Sequence, residues 1–179
     1  MKRAIYLIPF GEVNADILAV IAEAVSQEFT LPCRVGPAMP QPDYAYRAKR
    51  GQYLSDLILE RLRGVGLPSA HRLLGIVDLD LYTPGLNFIF GQATAGGREA
   101  LIALARLRQG FYNLPEDETL FRRRCVKEAV HELGHTYSLG HCPDARCVMY
   151  FSNTLGDTDR KGAGFCVRCS RKLSGERRP

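Results

Sequence analysis

The chain has 179 residues, of which 46% are hydrophobic, and its formal net charge is +5 at pH 7. This length and composition suffice for one domain with a proper hydrophobic core, and no apolar run reaches the roughly 18 residues of a membrane-spanning helix. We therefore expect a single domain over residues 1–179, with an N-terminal part at 1–140 and a C-terminal part at 141–179.

The first half of the chain alternates between strand and helix signals, which predicts an α/β fold. Strand patterns lie at residues 3–9, 33–35 and 73–79, and helix patterns lie at residues 14–29 and 53–62. Asn14 can cap the first of these helices. Residues 37–51 contain three prolines and are expected to form a loop.

A hairpin and a long helix are expected in the second half. Residues 88–94 and 98–106 flank a short glycine-rich link, a spacing typical of a β-hairpin, although propensity alone would equally allow a helix at 98–108. Pro115 and the acidic residues that follow it favour the start of a helix that runs through residue 135. Beyond residue 141 we expect a loop-rich segment.

Residues 131–135 read His-Glu-Leu-Gly-His, a motif typical of zinc hydrolases. On a helix, four residues turn the chain by about 400°, so the imidazoles of His131 and His135 share one face and can bind one metal ion. Glu132 projects about 100° away from His131, beside the metal. Two nitrogen ligands and a carboxylate that accepts a proton from water are the parts of a metallohydrolase. Two solvated histidines on a helix are the simpler alternative.

His141 can join the same site only if the helix ends after His135. In a continuous helix, His141 would lie about 15 Å along the axis from His131. Ser138 and Gly140 are both poor helix-interior residues, and they lie where the helix must break. The spacing therefore predicts a three-histidine site with an open fourth position for water.

Four cysteines form a second group, spaced as Cys-x4-Cys and Cys-x2-Cys. Paired short spacings of this kind are typical of a structural zinc bound by four thiolates, and two disulfides are the alternative. No signal peptide is recognisable, because the apolar start is broken at Pro9 and lacks a cleavage site. We therefore expect a cytoplasmic protein, in which a reducing environment favours zinc. The four cysteines are Cys142, Cys147, Cys166 and Cys169.

Together, these motifs resemble the archaemetzincins, a branch of the metzincin zinc peptidases. The resemblance rests on the segment from His131 to Cys169, which includes Met149 shortly after Cys147. It extends to residues 6–11 and 78–91, and so to nearly the whole chain.

The resemblance implies a metzincin-like α/β fold: a twisted mixed sheet with an antiparallel edge strand, two or three long helices and a zinc-stapled, loop-rich C-terminal part. It also favours a strand over a helix at 98–106. It further implies that the three histidines bind catalytic zinc, that Glu132 is the general base and that Met149 forms a turn beneath the metal. The four cysteines would bind a second, structural Zn²⁺.

The sequence departs from the family pattern at Ser138, where a glycine is usual. If Ser138 adopts a positive φ angle, serine costs on the order of 1 kcal/mol relative to glycine. Gly140 could take over part of the chain reversal. The departure removes no metal ligand.

The expected function is zinc-dependent hydrolysis of peptides or proteins, by either an aminopeptidase or an endopeptidase. An aminopeptidase would need a carboxylate for the free amine of its substrate, and Glu99 or Asp78 could provide it. Tyr137 or Tyr150 could stabilise the oxyanion, although a packed aromatic is the simpler reading of each. The alternatives are a zinc-dependent peptide-binding protein with little hydrolysis and a basic zinc module that binds nucleic acid.

Arginine-rich segments at residues 122–124 and 168–178 account for part of the positive charge. A basic tail can bind nucleic acid. No aromatic residues are interleaved with the tail charges, so we expect a solvated surface instead. We also expect a monomer with no membrane partner.

Overall fold

The computed structural model describes residues 3–176, as eight strands and five helices. The strands are β1 (Ala4–Phe10), β2 (Cys33–Val35), β3 (Tyr46–Arg47), β4 (Gln52–Leu54), β5 (Ala70–Val77), β6 (Leu81–Tyr82), β7 (Gly91–Ala93) and β8 (Glu99–Ala103). The helices are α1 (Ala15–Phe29), α2 (Ser55–Arg63), α3 (Glu118–Thr136), α4 (Leu155–Arg160) and α5 (Val167–Glu176).

Five strands form the main sheet in the order β2-β1-β5-β8-β7. The first four are parallel to one another, and β7 runs antiparallel to β8 at the edge. The hairpin expected from residues 88–106 is therefore confirmed, with shorter arms. The mixed sheet with an antiparallel edge strand is confirmed as well. A second, smaller sheet has the order β3-β4-β6.

The sheet separates two hydrophobic layers, because successive side chains of a strand point to opposite faces. On one face, Ile5 and Leu7 of β1 lie in one cluster with buried residues of α1 and α3. On the other face, Ile8 of β1 lies in a second cluster with Ile58 and Leu62 of α2. The His-Glu-Leu-Gly-His motif is thus carried by a helix that is packed on one side of the sheet.

The two long helices start at polar caps. The Asn14 side chain accepts a hydrogen bond of 2.7 Å from the amide of Asp16, as expected for the cap of α1. In α3, the Asp117 side chain accepts one of 2.9 Å from the amide of Leu120. The helix therefore begins at Glu118, a few residues after Pro115, because the cap and not the proline defines its first turn.

Several segments differ from the sequence prediction, among them the strand predicted at residues 73–79, which spans Ala70–Val77. The predicted loop 37–51 contains a 3-10 turn, Asp43–Ala45, and the short strand β3. The helix predicted from residue 53 starts at Ser55, because Tyr53 and Leu54 pair in β4. Beyond residue 141 the chain forms α4 and α5 between its loops, so this part contains more helix than expected.

Within residues 3–176, no helix has the length and apolar character needed to cross a membrane. Most of the basic tail noted in the sequence lies on α5. Arg177 and Arg178, the last two arginines of that tail, lie outside the described residues.

Candidate active site

The structure brings the three predicted histidines together at the C-terminal end of α3. One ring nitrogen of each lies within 4.8 Å of those of the other two. The rings of His131 and His135 are 4.7 Å apart between centroids, and the ring of His141 lies 5.4 Å and 5.0 Å from them. His131 is buried, His135 is half-buried and His141 is exposed, so the group opens towards solvent on one side.

Backbone carbonyls fix the orientation of the first two rings. His131 Nδ1 lies 2.8 Å from the carbonyl oxygen of Val148, and His135 Nδ1 lies 2.7 Å from that of Leu139. A carbonyl oxygen can only accept, so each Nδ1 must carry the proton and donate it. Each Nε2 then presents a lone pair, which is the tautomer that a metal ligand needs.

The two Nε2 atoms of His131 and His135 lie 3.2 Å apart. Both are acceptors in the tautomer defined above, so they cannot hydrogen-bond to each other. Two nitrogens that bind one tetrahedral zinc at about 2.0–2.1 Å would be about 3.3–3.4 Å apart. The observed separation therefore suits a cation between them. Burial lowers the pKa of all three histidines, most strongly that of His131, which favours the neutral form that a ligand requires.

The reversal that returns His141 to the site occurs at Ser138, whose φ angle is 59°. The amide of Ser138 donates to the carbonyl of His135, and the amide of Leu139 donates to that of Gly134, at 3.0 Å and 3.2 Å. These two bonds are those of a Schellman motif, in which the left-handed residue is usually glycine. Gly140 has no left-handed φ, so the reversal falls on Ser138 alone.

The loop that contains Met149 lies against α3. A Cβ added to Gly134 would lie 2.5 Å from the Met149 sulfur, so the helix can approach this side chain only at a glycine. Gly134 is therefore a point of close packing between α3 and this loop. The same loop supplies the Val148 carbonyl that orients His131.

Glu132 is buried between the active-site helix and the edge strand. A Cβ added to Gly91 of β7 would lie 2.5 Å from Glu132 Cγ and 2.7 Å from its Oε1. The backbone of the edge strand is therefore in close contact with this carboxylate. Burial, and secondarily the negative charge of Glu128, raises the pKa of Glu132 to about 8, while Lys161 acts in the opposite direction. A carboxyl with this pKa can take up and release a proton near neutral pH.

A cleft of about 260 Å³ lies over these residues. Its polar lining comes from the three histidines, from two of the three glutamates of α3 and from two residues that follow Phe151: Glu128, His131, Glu132, His135, His141, Ser152 and Asn153. Its apolar walls come from the segment before and within β7 and from Phe151, whose ring is 4.8 Å from that of His141. The wall residues contributed by the first segment are Leu86, Phe88, Ile89, Phe90, Gly91 and Ala93.

Sequence reasoning missed Glu128, which also lines the cleft. It lies four residues before Glu132, so the helical period that joins His131 and His135 could have identified it. Its Oε1 accepts from the Thr158 hydroxyl at 3.1 Å and pairs with Lys161 Nζ at 2.9 Å. Lys161 follows α4 and could not have been placed there from its position in the sequence.

The four predicted cysteines also meet, with sulfurs within 4.8 Å of one another. No disulfide joins any cysteine of residues 3–176, so the alternative of two disulfides is not what the structure contains. The Cys142 and Cys166 sulfurs are 3.8 Å apart, and two thiolates on one tetrahedral zinc at about 2.3 Å would be separated by about 3.8 Å. Arg168 donates a hydrogen bond to the Cys142 sulfur at 3.4 Å.

Four other candidates from the sequence lie elsewhere. The ring of Tyr137 is stacked on Phe29 in the core, and neither Tyr137 nor Tyr150 lines the cleft. Asp78 pairs with Arg108 at 2.5 Å, and Glu99 lies 3.8 Å from Arg63. Neither carboxylate lines the cleft.

The chain is similar to known proteins over most of its length. The model of peptidase family M54 matches residues 12–175. The chain is 42% identical to an archaemetzincin of Methanocaldococcus jannaschii over 174 residues, which are 97% of this chain and 94% of that protein. A crystal structure of archaemetzincin from Methanopyrus kandleri superposes with a TM-score of 0.84 at 40% identity, covering 98% of this chain and 95% of that one. The archaemetzincin of Archaeoglobus fulgidus, crystallised in complex with malonate, gives 0.81 at 39% identity, covering 94% and 99%.

Proposed function

The chain belongs to peptidase family M54, the archaemetzincins, and is a zinc metallopeptidase; we propose that the three histidines of its cleft hold the catalytic zinc and that Glu132 is the general base. The observation that carries this proposal is the pair of Nε2 atoms 3.2 Å apart on His131 and His135. Both imidazoles are locked in the metal-binding tautomer by backbone carbonyls. The reversal at Ser138 supports His141 as the third ligand.

When bound, zinc would polarise the scissile carbonyl and lower the pKa of the attacking water. Glu132 accepts the proton of that water and passes it to the leaving amine. The raised pKa of Glu132 supports the transfer to the leaving amine, because the carboxyl can then hold the proton until the amine accepts it. A positive charge held by the histidines would favour the ionised form of Glu132, which is the form that accepts the proton from water.

The peptide lies along the outer edge of β7. This strand pairs with β8 on one side only within the main sheet, so its other side can bind an extended peptide as an additional strand. Main-chain hydrogen bonds would hold the substrate largely without regard to sequence. The close approach of Gly91 to Glu132 supports this arrangement, because a peptide bound along β7 would have its backbone near the proposed base.

Cys142, Cys147, Cys166 and Cys169 would hold a second zinc, which would have a structural role. Four protein thiolates leave no open position for substrate. The sulfur separations support this assignment, which gives two Zn²⁺ per chain. A monomer in the cytoplasm, with no nucleic-acid partner, stays a prediction from the sequence.

The test is cleavage of a peptide library by the zinc-loaded protein and by Glu132→Ala. The variant keeps three nitrogen ligands, so we expect both metals and the fold to remain, while the rate falls by about 10²–10⁴-fold or more. Glu118→Ala is the matched control, because Glu118 lies on the same helix in an exposed ion pair. Equal rates for wild type and Glu132→Ala would exclude Glu132 as the base. No cleavage by either would favour the peptide-binding alternative.

A further inference from the structure

The ion pair between Glu128 and Lys161 is not used by the mechanism above. Both side chains are almost completely buried, with 3% and 0% of their surfaces exposed. A buried ion pair generally gives little net stability, because desolvation of both charges offsets their attraction. Its position at the cleft therefore suggests a role besides stability.

The pair is oriented with its negative end towards the cleft. Glu128 lines the cleft and Lys161 does not, so the lysine lies behind the carboxylate. The lysine and the Thr158 hydroxyl both contact Oε1. No hydrogen bond to Oε2 forms among residues 3–176, so this oxygen can accept one from a ligand.

Neighbouring contacts hold this arrangement rigid. Arg124 forms two hydrogen bonds of 2.7 Å with the carboxylate of Asp159, and Lys127 donates to the carbonyls of Thr158 and Asp159 at 2.9 Å. The C-terminal end of α4 is thereby fixed on α3 by three charged residues of α3, Arg124, Lys127 and Glu128. Glu128 consequently has little freedom to leave the cleft.

The volume and walls of the cleft suit one side chain of a substrate. Its volume of about 260 Å³ is below the range of about 300–1,000 Å³ typical of pockets for whole drug-sized ligands. Glu128 lies one helical turn, about 6 Å along the axis, from Glu132. The side chain next to the scissile bond can span that distance. Phe88 and Phe90 would contact its stem.

We propose that Glu128 determines substrate specificity by binding the cationic end of a lysine or arginine side chain next to the scissile bond. This inference rests on the proposed peptidase function. Apolar walls match the aliphatic stem of such a side chain, and a carboxylate that lines the cleft matches its charge. Lys161 keeps Glu128 in place from behind and does not touch the substrate. An acidic side chain would meet the negative end of the pair and would be rejected.

Binding to an inactive, zinc-loaded protein tests this without hydrolysis. In a Glu132→Ala background, we would measure the affinity for blocked alanine pentapeptides with lysine, norleucine or glutamate at the central position. Norleucine has the stem of lysine without its ammonium group. We expect lysine to bind at least about tenfold more tightly than norleucine, as for a charge-assisted hydrogen bond in a desolvated site, and glutamate to bind most weakly.

A neutral version of the pair identifies the residue responsible. Glu128→Gln together with Lys161→Met removes both charges and leaves neither partner buried alone, so the fold should survive. The preference for lysine over norleucine should then fall to about twofold or less. Glu118→Gln makes the same change in an exposed ion pair of the same helix, and it should leave the preference intact.

The proposal is overturned if the parent binds lysine and norleucine peptides equally, if it prefers glutamate, or if the preference persists in the neutral version. Failure of the proposed peptidase function gives a different result. In that case the lysine peptide would still bind selectively, while the wild type would cleave no peptide. Cleavage by the wild type without any basic preference would retain the function and reject the specificity.

Discussion

Ser138 is the residue at which the active-site helix reverses, and it does so with a left-handed backbone. Replacing it by glycine removes the strain of a Cβ in this conformation. We expect Ser138→Gly to raise the free energy of unfolding by a few tenths to about 1 kcal/mol. Denaturant unfolding of the zinc-loaded protein measures the change.

Ser26→Gly is the matched control, since Ser26 lies inside α1. The same change in a right-handed helix should lower the free energy of unfolding by about 0.5 kcal/mol. If both variants are destabilised alike, strain at Ser138 is not released and the prediction is wrong.

Gly91 is the residue that allows the edge strand to approach the proposed base. A Cβ at this position would overlap Cγ and the carboxyl group of Glu132, so either the carboxylate or the strand must move. We expect Gly91→Ala to lower kcat by about tenfold to 10²-fold, because small misplacements of catalytic groups have effects of that size. Zinc content should be unchanged.

Gly140→Ala is the control for this glycine, because a Cβ there meets nothing within 4 Å and the residue has no left-handed φ. It lies next to His141 and should have nearly wild-type kcat. A wild-type rate for Gly91→Ala would show that the close contact does not position Glu132.

The sequence predicts single residues well where a motif joins neighbours and poorly where contacts are distant. The motif spacing identified His131 and His135, and the missing glycine identified the strain at Ser138. Glu128 lies within the same helical period, but it lies outside the His-Glu-Leu-Gly-His motif. The roles of Gly91 and Lys161 arise from packing between segments that are distant in the sequence, so the sequence around each residue does not predict them.

At the scale of elements, the cysteine group holds together the segments around α5. Cys169 and Leu173 are buried residues of this helix. We expect Cys166→Ser or Cys169→Ser to lower the free energy of unfolding by about 4 kcal/mol or more, since loss of a structural metal belongs to the largest class of single-residue effects. His135→Ala should be much less destabilising. Thermal and denaturant unfolding compare the variants.

Hydrogen exchange shows which helix is destabilised in the cysteine variants. The amides of α5 should lose protection in the cysteine variants, whereas those of α4 should keep it, because α4 is fixed to α3 by Arg124, Lys127 and Glu128. Cys33→Ser is the control, since Cys33 lies outside the cysteine group. If Cys166→Ser is as stable as the wild type, the cysteine group does not have the proposed structural role.

Elements were predictable to different degrees for physical reasons. The helix α1 has its own cap and apolar face, so local signals define it. The strands β3 and β4 are only two and three residues long, and they exist because they pair with distant partners. The helices α4 and α5 are short and polar, and their stability comes from contacts with α3 and the cysteine group. Local periodicity therefore could not reveal them.

For the whole molecule, we expect two zinc ions that differ in lability. The histidine site opens into the cleft, so a chelator can attack it directly, whereas four protein thiolates leave no open position. Mild treatment with a chelator should remove one equivalent while the circular dichroism spectrum is retained. A single equivalent in carefully purified, reduced protein would contradict this. The division of the domain at residue 140 stays a prediction.

His141 and Cys142 are adjacent in the chain, so we expect metal binding at either site to change the metal affinity of the other. Metal at the cysteines restricts the segment that also carries His141 and the Val148 carbonyl, so part of the ordering entropy of the histidine site is already lost before its own ion arrives. Positive cooperativity follows, typically about 1–3 kcal/mol for coupled sites. In a titration of metal-free protein, the thiolates should fill first. The histidines should then bind more tightly than in a Cys169→Ser variant, and equal affinities would mean that the sites assemble independently.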